Sequence, residues 1–147
     1  MARRRFLAQL AGLPLLAFRI GAEEPKKPLK IMMKSSWGSD DPSRASFVFA
    51  HGLALADAGH DVQIFLTGEA TYLMRKATAD AIQPVGWPPL SEMREKVVAK
   101  HIPVFSCGVC SRARGVTETD LNTWGAKFGN PAIFVSLVEW ADRIITE

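Results

Sequence analysis

The sequence predicts an α/β domain with a mainly parallel sheet and helices on both faces. Short apolar runs of strand length, at residues 29–34, 62–66 and 102–106, alternate with segments that carry helix-start and helix-stop signals. The resulting order, β-α-β-α-α-β-α-α-β, belongs to a sheet whose crossovers are helical. A length of 147 residues fits one domain, and the 48% apolar and 22% charged fractions are those of a globular protein, not a disordered or fibrous one.

The elements follow in order. Lys27-Pro28 closes a polar linker, and Leu29-Lys30-Ile31-Met32-Met33-Lys34 reads as the first strand, bounded by Ser35-Ser36. Asp41-Pro42 marks a helix start, an acidic cap followed by a proline whose missing N–H has no partner to lose in the first turn. That helix runs through Phe47, Val48, Leu53 and Leu55 to Ala58-Gly59, and its apolar content on most faces predicts deep burial. Val62 to Leu66 is the second strand, ended by Thr67-Gly68, and a second helix is expected across Tyr72 to Ala81. Pro84 to Pro89 is a loop. Ser91 to Lys100 is a third helix, with Ser91 as its cap and Glu92 and Glu95 near its positive end. The third strand, Ile102 to Ser106, tolerates Pro103 at its start. Beyond it come a helix from Cys110 to Arg114, a capped turn at Thr117 to Asn122, a helix opened by Pro131 through Trp140, and a last strand at Asp142 to Thr146. Ligands of such sheets gather at the carboxyl ends of the strands, which would bring together the loops 35–41, 67–71 and 107–114.

The formal charge of +3 invites a nucleic-acid reading that its distribution opposes. Residues 1 to 22 hold Arg3, Arg4, Arg5 and Arg19 and no acid, so the remainder carries −1. A domain near neutrality, with only Arg112 and Arg114 as a local basic pair, has no phosphate-binding stripe. Met1 to Ala22 has the parts of a bacterial export signal: a charged start, an apolar run from Phe6 to Phe18, and small Ala22 ahead of a polar stretch. Arg3-Arg4-Arg5-Phe6-Leu7 looks like the twin-arginine pattern. The expected organisation is therefore a signal at 1–22, a linker at 23–28 and the domain at 29–147, with a periplasmic location. Ile20 is larger than the residue usual before a cut, and a retained leader would tether the domain to a membrane. The apolar run is shorter than the roughly 20 residues needed to span one, and no later segment is long enough.

Cys107-Gly108-Val109-Cys110 is the motif with clear chemical content. It follows a strand and precedes a helical segment, where free N–H groups, the positive helix end, Arg112 and Arg114 favour a thiolate. The size of the effect matters, because a thiol of pKa about 8.5 is only about 3% ionised at pH 7, while one near 6.5 is about three-quarters ionised. Gly108 permits close backbone approach to a ligand. A zinc site would need two more ligands, and His101 lies at the far end of the same strand, about 20 Å away. No metal or cofactor is expected. C-x-x-C is also a thioredoxin-like redox signature, but here it follows a late strand and no Trp precedes it. A structural disulfide or an inert pair are the other readings. Trp37, Trp87 and Glu69 are weaker candidates, explained as well by packing or solvent exposure.

The segment Val104-Phe105-Ser106-Cys107-Gly108-Val109-Cys110-Ser111-Arg112-Ala113-Arg114-Gly115-Val116 resembles the DsrE/DsrF-like family of sulfur-transfer proteins. The resemblance extends over about residues 29 to 147, including the turn Phe65 to Gly68 and the ending Glu139 to Ile145. It implies a three-layer α/β/α sandwich with flavodoxin-like layering, assembled into trimers or hexamers, that carries sulfur as a cysteine persulfide. Cys107 stands eight residues before Gly115, a spacing that resembles the persulfide-bearing cysteine of the sulfur-relay branch. That branch often lacks a counterpart of Cys110, and its best-known members work in the cytoplasm, so the second thiol and the leader are departures.

The expected chemistry is nucleophilic sulfur relay by Cys107 and Cys110, with Gly108, Val109, Ser111, Arg112 and Arg114 as binding residues. Its partners would be sulfur-donor and acceptor proteins or low-molecular-weight persulfides, with no nucleic acid. Two rivals stand beside it: an exported thiol–disulfide oxidoreductase using the same pair, and a non-catalytic oligomeric module with a structural disulfide.

Overall fold

The computed structural model describes residues 27–147. The signal expected at 1–22 and most of the linker lie outside the described residues. Five parallel strands form one sheet in the order β4-β3-β2-β1-β5. They are β1 (Lys30–Ser35), β2 (Asp61–Leu66), β3 (Val104–Cys107), β4 (Lys127–Gly129) and β5 (Arg143–Thr146).

That order dictates where the helices lie. From β1 to β4 the chain steps across the sheet in one direction, so right-handed crossovers place the intervening helices on one face. These are α1 (Pro42–Asp57), a 3₁₀ segment (Gly68–Met74), α2 (Lys76–Ala81), α3 (Leu90–Ala99), α4 (Gly108–Ala113) and α5 (Glu118–Asn122). The last step, from β4 to β5, runs back across the whole sheet, and α6 (Pro131–Trp140) makes that crossover on the opposite face. The result is a three-layer α/β/α sandwich with very unequal outer layers.

Strand alternation separates the two faces. Ile31, Met33, Val62, Ile64, Leu66 and Val104 point into the larger core, against Val48, Phe49 and Leu53 of α1 and Leu90, Met93 and Val97 of α3. Met32 and Phe65 point the other way, where they meet Leu137 of α6 with Phe105, Cys107 and Phe134 packed around them. α6 is the most apolar helix of the domain, yet Leu137 is its only buried residue. Val135, Val138 and, on neighbouring β5, Ile144 are exposed.

Most elements begin where local chemistry directs. The Asp41 carboxylate accepts a hydrogen bond from the Arg44 backbone N–H, and the Asn130 side chain accepts from Ile133, each just ahead of a proline. Thr117 and Asp120 form a reciprocal capping box at α5. Four expectations need correction. The helix expected over Tyr72 to Ala81 is a 3₁₀ turn and a short helix, broken where Arg75 is extended (ψ 123°). Pro89, not Ser91, precedes α3, because the helix already starts at Leu90. α4 starts at Gly108 rather than Cys110, since no linker follows β3. Lys127–Gly129 is an edge strand that three residues of mixed character do not announce.

Gly129 is required by packing. A Cβ there would lie 2.6 Å from the Phe65 ring and 3.6 Å from the Phe105 Cβ. Gly129→Ala is therefore expected to destabilise the domain by about 1–3 kcal/mol in urea unfolding, the usual range for overpacking. A change below about 0.5 kcal/mol would show that β4 shifts freely and is not held by this contact.

Candidate functional site

Cys107 is the hinge between a strand and a helix. It is the last residue of β3 and the residue that precedes α4, with φ −48° and ψ 116°. Three contacts hold that turn. Beneath it, Ser106 and Ser111, both fully buried, share a hydrogen bond of 2.8 Å. Beside it, Cys107 is level with Gly129 of β4. Just beyond, Gly108 approaches β4 so closely that a Cβ on it would sit 3.1 Å from the Gly129 carbonyl oxygen and 3.2 Å from an Arg112 nitrogen. Arg112 therefore folds back over Gly108 toward the thiol.

Five influences act on the Cys107 thiol. Burial pushes its pKa up. The backbone N–H and thiol of Cys110, the Val109 N–H and the Arg112 charge favour the thiolate, and together they outweigh burial. The thiol is thus held below the ordinary cysteine value, which raises the thiolate fraction at neutral pH.

The side chain lies on the α6 face of the sheet, following the alternation that puts Phe105 there. It lines a cavity of about 650 Å³. Phe65, Phe128, Phe134, Val109 and Val135 supply most of the wall, and Lys34 and Arg112 supply the charge. No carboxylate of the described residues lines the cavity. Among the described residues, no group of three or more His, Cys, Asp or Glu is arranged to hold a metal ion.

Cys110 stands apart from that wall. Its carbonyl accepts a 3.1 Å hydrogen bond from Arg114. Arg114 also donates to both carboxylate oxygens of Glu69, through Nε at 3.1 Å and through Nη2. The two-pronged pair ties α4 to the 3₁₀ segment. Gly38, from the loop after β1, packs against Glu69 in turn, where a Cβ would meet the Glu69 Cβ at 2.7 Å. The loops at the carboxyl ends of β1, β2 and β3 therefore touch one another.

The residues singled out from sequence separate into distinct places. Cys107, Gly108, Val109 and Arg112 share the cavity. Ser111 is buried under it and bonded to Ser106, so it cannot touch a ligand there. Arg114 faces Glu69 instead of the cavity. Glu69, read as a solvent-exposed group, is exposed and also engaged by Arg114. Neither tryptophan lines the cavity: the Arg44 guanidinium lies over the Trp37 ring, and Trp87 packs edge-on against Phe47 and His51. Sequence reasoning missed Lys34, Phe65, Phe128 and Phe134. A strand register would have found Lys34 and Phe65, which are level with Phe105 two positions before the thiol.

A half-buried thiol at the end of a parallel strand, facing a cavity, is the site that this α/β/α sandwich builds. Residues 30–146 match the DsrE/DsrF-like family, and the chain belongs to that family. It is similar to an uncharacterized protein of Methanopyrus kandleri, at 28% identity over 102 residues, 69% of this chain and 80% of that one. An uncharacterized protein of Methanocaldococcus jannaschii is 27% identical over 116 residues, 79% of this chain and 95% of that one. The crystal structure of the ychN protein from E. coli shares the fold with a TM-score of 0.67 at 18% identity, covering 82% of this chain and 100% of that one.

The Glu69 carboxyl is held below its usual value of 4.5, first by the hydrogen bond from Arg114 and then, against some desolvation, by its charge. A lowered carboxyl stabilises the fold above its unfolded value and loses that contribution as the pH falls through the folded one. Glu69→Gln should accordingly melt at a lower temperature than wild type at pH 7. The gap should close as the pH falls below 4.5. A gap that stays constant with pH would mean that the pair contributes nothing through charge.

Proposed function

We propose that this protein is a sulfur carrier that holds sulfane sulfur as a persulfide on Cys107. The observation that carries the reading is the lowered pKa of a thiol that is also open to a cavity. A nucleophile needs both properties, and an inert core cysteine has neither. Membership of the DsrE/DsrF-like family supports a sulfur-relay role at the level of the family.

In the proposed reaction the Cys107 thiolate attacks the outer sulfur of a donor persulfide. The donor S–S bond breaks, a donor thiolate leaves, and Cys107 becomes Cys107–S–SH. An acceptor thiolate then takes the outer sulfur and regenerates the Cys107 thiolate. Cys110, whose thiol turns toward Cys107, offers a second exit. Its thiolate attacks the inner sulfur, hydrosulfide leaves, and a Cys107–Cys110 disulfide remains. The same arrangement favours dithiol–disulfide exchange as the second reading.

Two further parts of the proposal rest on other features. The outward-facing Val138 and Ile144 support self-association of the carrier, as large apolar side chains at a subunit contact would be. The leader Arg3-Arg4-Arg5-Phe6-Leu7 supports export. No helix among the described residues is long and apolar enough to cross a membrane.

Brief exposure of the reduced protein to inorganic polysulfide, followed by intact-mass analysis, tests the central assignment. Wild type is expected to gain whole sulfur atoms that dithiothreitol removes, Cys110→Ser to retain the gain, and Cys107→Ser to lose it. A loss of two hydrogens with no added sulfur would instead establish the exchange reading.

A further inference from the structure

The cavity beside Cys107 is larger and more apolar than an inorganic sulfur ion needs. Its volume of about 650 Å³ is some twenty times the ~30 Å³ that a water molecule occupies in the liquid. The aromatic wall of Phe65, Phe128 and Phe134 offers a small hydrated anion no hydrogen bonds, and burying that ion there would strip water without replacing it. The cavity is nevertheless cationic. Lys34 and Arg112 both line it, neither pairs with a carboxylate among the described residues, and Arg112 is drawn over Gly108 toward the thiol. Apolar walls with positive charge near the reacting sulfur fit a ligand with an apolar body and an anionic sulfur head.

We infer that the donor to Cys107 is a small organic sulfane-sulfur anion, of the aryl or alkyl thiosulfonate class, whose apolar group occupies this cavity. The inference rests on the carrier reading and narrows its substrate. The Cys107 thiolate attacks the terminal sulfane sulfur of R–SO₂–S⁻, and the bond from that sulfur to the sulfonyl sulfur breaks. The organic sulfinate R–SO₂⁻ leaves with the electron pair, and Cys107–S–S⁻ remains. The two negative charges at the start are the two at the end, and no outside oxidant or reductant takes part. Lys34 and Arg112 stabilise the anionic head as it approaches a thiolate that would otherwise repel it.

The test compares benzenethiosulfonate with thiosulfate, which donates the same sulfur but has no apolar group. Rates of sulfur loading on Cys107 are read by intact mass, and each is divided by the rate with free glutathione to remove intrinsic reactivity. After that correction, benzenethiosulfonate should load the protein at least about tenfold faster, the factor that some 1.4 kcal/mol of apolar burial provides. Lys34→Gln and Val135→Ser should each reduce the benzenethiosulfonate rate severalfold. Val135→Ser should lower the benzenethiosulfonate rate more than the thiosulfate rate, because it removes an apolar wall and no charge. Equal corrected rates, or loading by inorganic polysulfide alone, would overturn this inference and leave the carrier reading in place. Failure of every donor to load Cys107 would overturn both.

Discussion

A strand that becomes a helix without a linker must turn its backbone within one residue, and here that residue is Cys107. The chain can make the turn because the side chains on either side of it are small. Ser106 and Ser111 fit beneath it only as compact hydroxyls that satisfy each other, and a buried hydroxyl without such a partner would cost about 1–3 kcal/mol. Gly108 lets α4 start almost in contact with β4. The position of the thiol, the approach of Arg112 and the N–H groups directed at the sulfur all follow from this short turn. Cys107 is therefore placed by the packing of its neighbours, not by a flexible loop.

The same turn makes the two cysteines different. Cys107 belongs to a strand and so takes the face that alternation assigns it, the sparsely covered side under α6. Cys110 belongs to the helix and is tied through its carbonyl to Arg114, away from the cavity. Divided between strand and helix, the pair has one thiol that lines the cavity and one that does not. The inequality of the two outer layers matters equally, since a single helix crossing the sheet leaves room beside Phe65 and Phe134 that several helices would fill.

Much of this was legible in the sequence. Caps at Asp41 and the proline at 131 marked two helices, and the thiol motif stood out in a chain with two cysteines. The layered fold followed from the alternation of strands and helices. What stayed hidden depends on contacts between distant segments. β4 is recognisable only through its pairing with β3, because Lys127, Phe128 and Gly129 form no pattern alone. Lys34 looked like the polar end of a strand until the register placed it level with Phe65 and Phe105. Ser111 and Arg114, chosen for being near the motif, are a buried strut and an ion-pair anchor, because a helix turns successive residues about 100° apart. Nearness in sequence separated these roles poorly.

Two thiols three positions apart sit in different settings, and that difference can be measured directly. Site-resolved alkylation measures it: limiting iodoacetamide is added to the reduced protein across a pH series, and peptide mass spectrometry reads the labelling of each cysteine. Cys107 should react first, with a midpoint below that of an ordinary thiol, and Arg112→Gln should move that midpoint upward. Equal labelling of Cys107 and Cys110, or a Cys107 midpoint at or above the ordinary value, would contradict the claim that this turn builds a nucleophile.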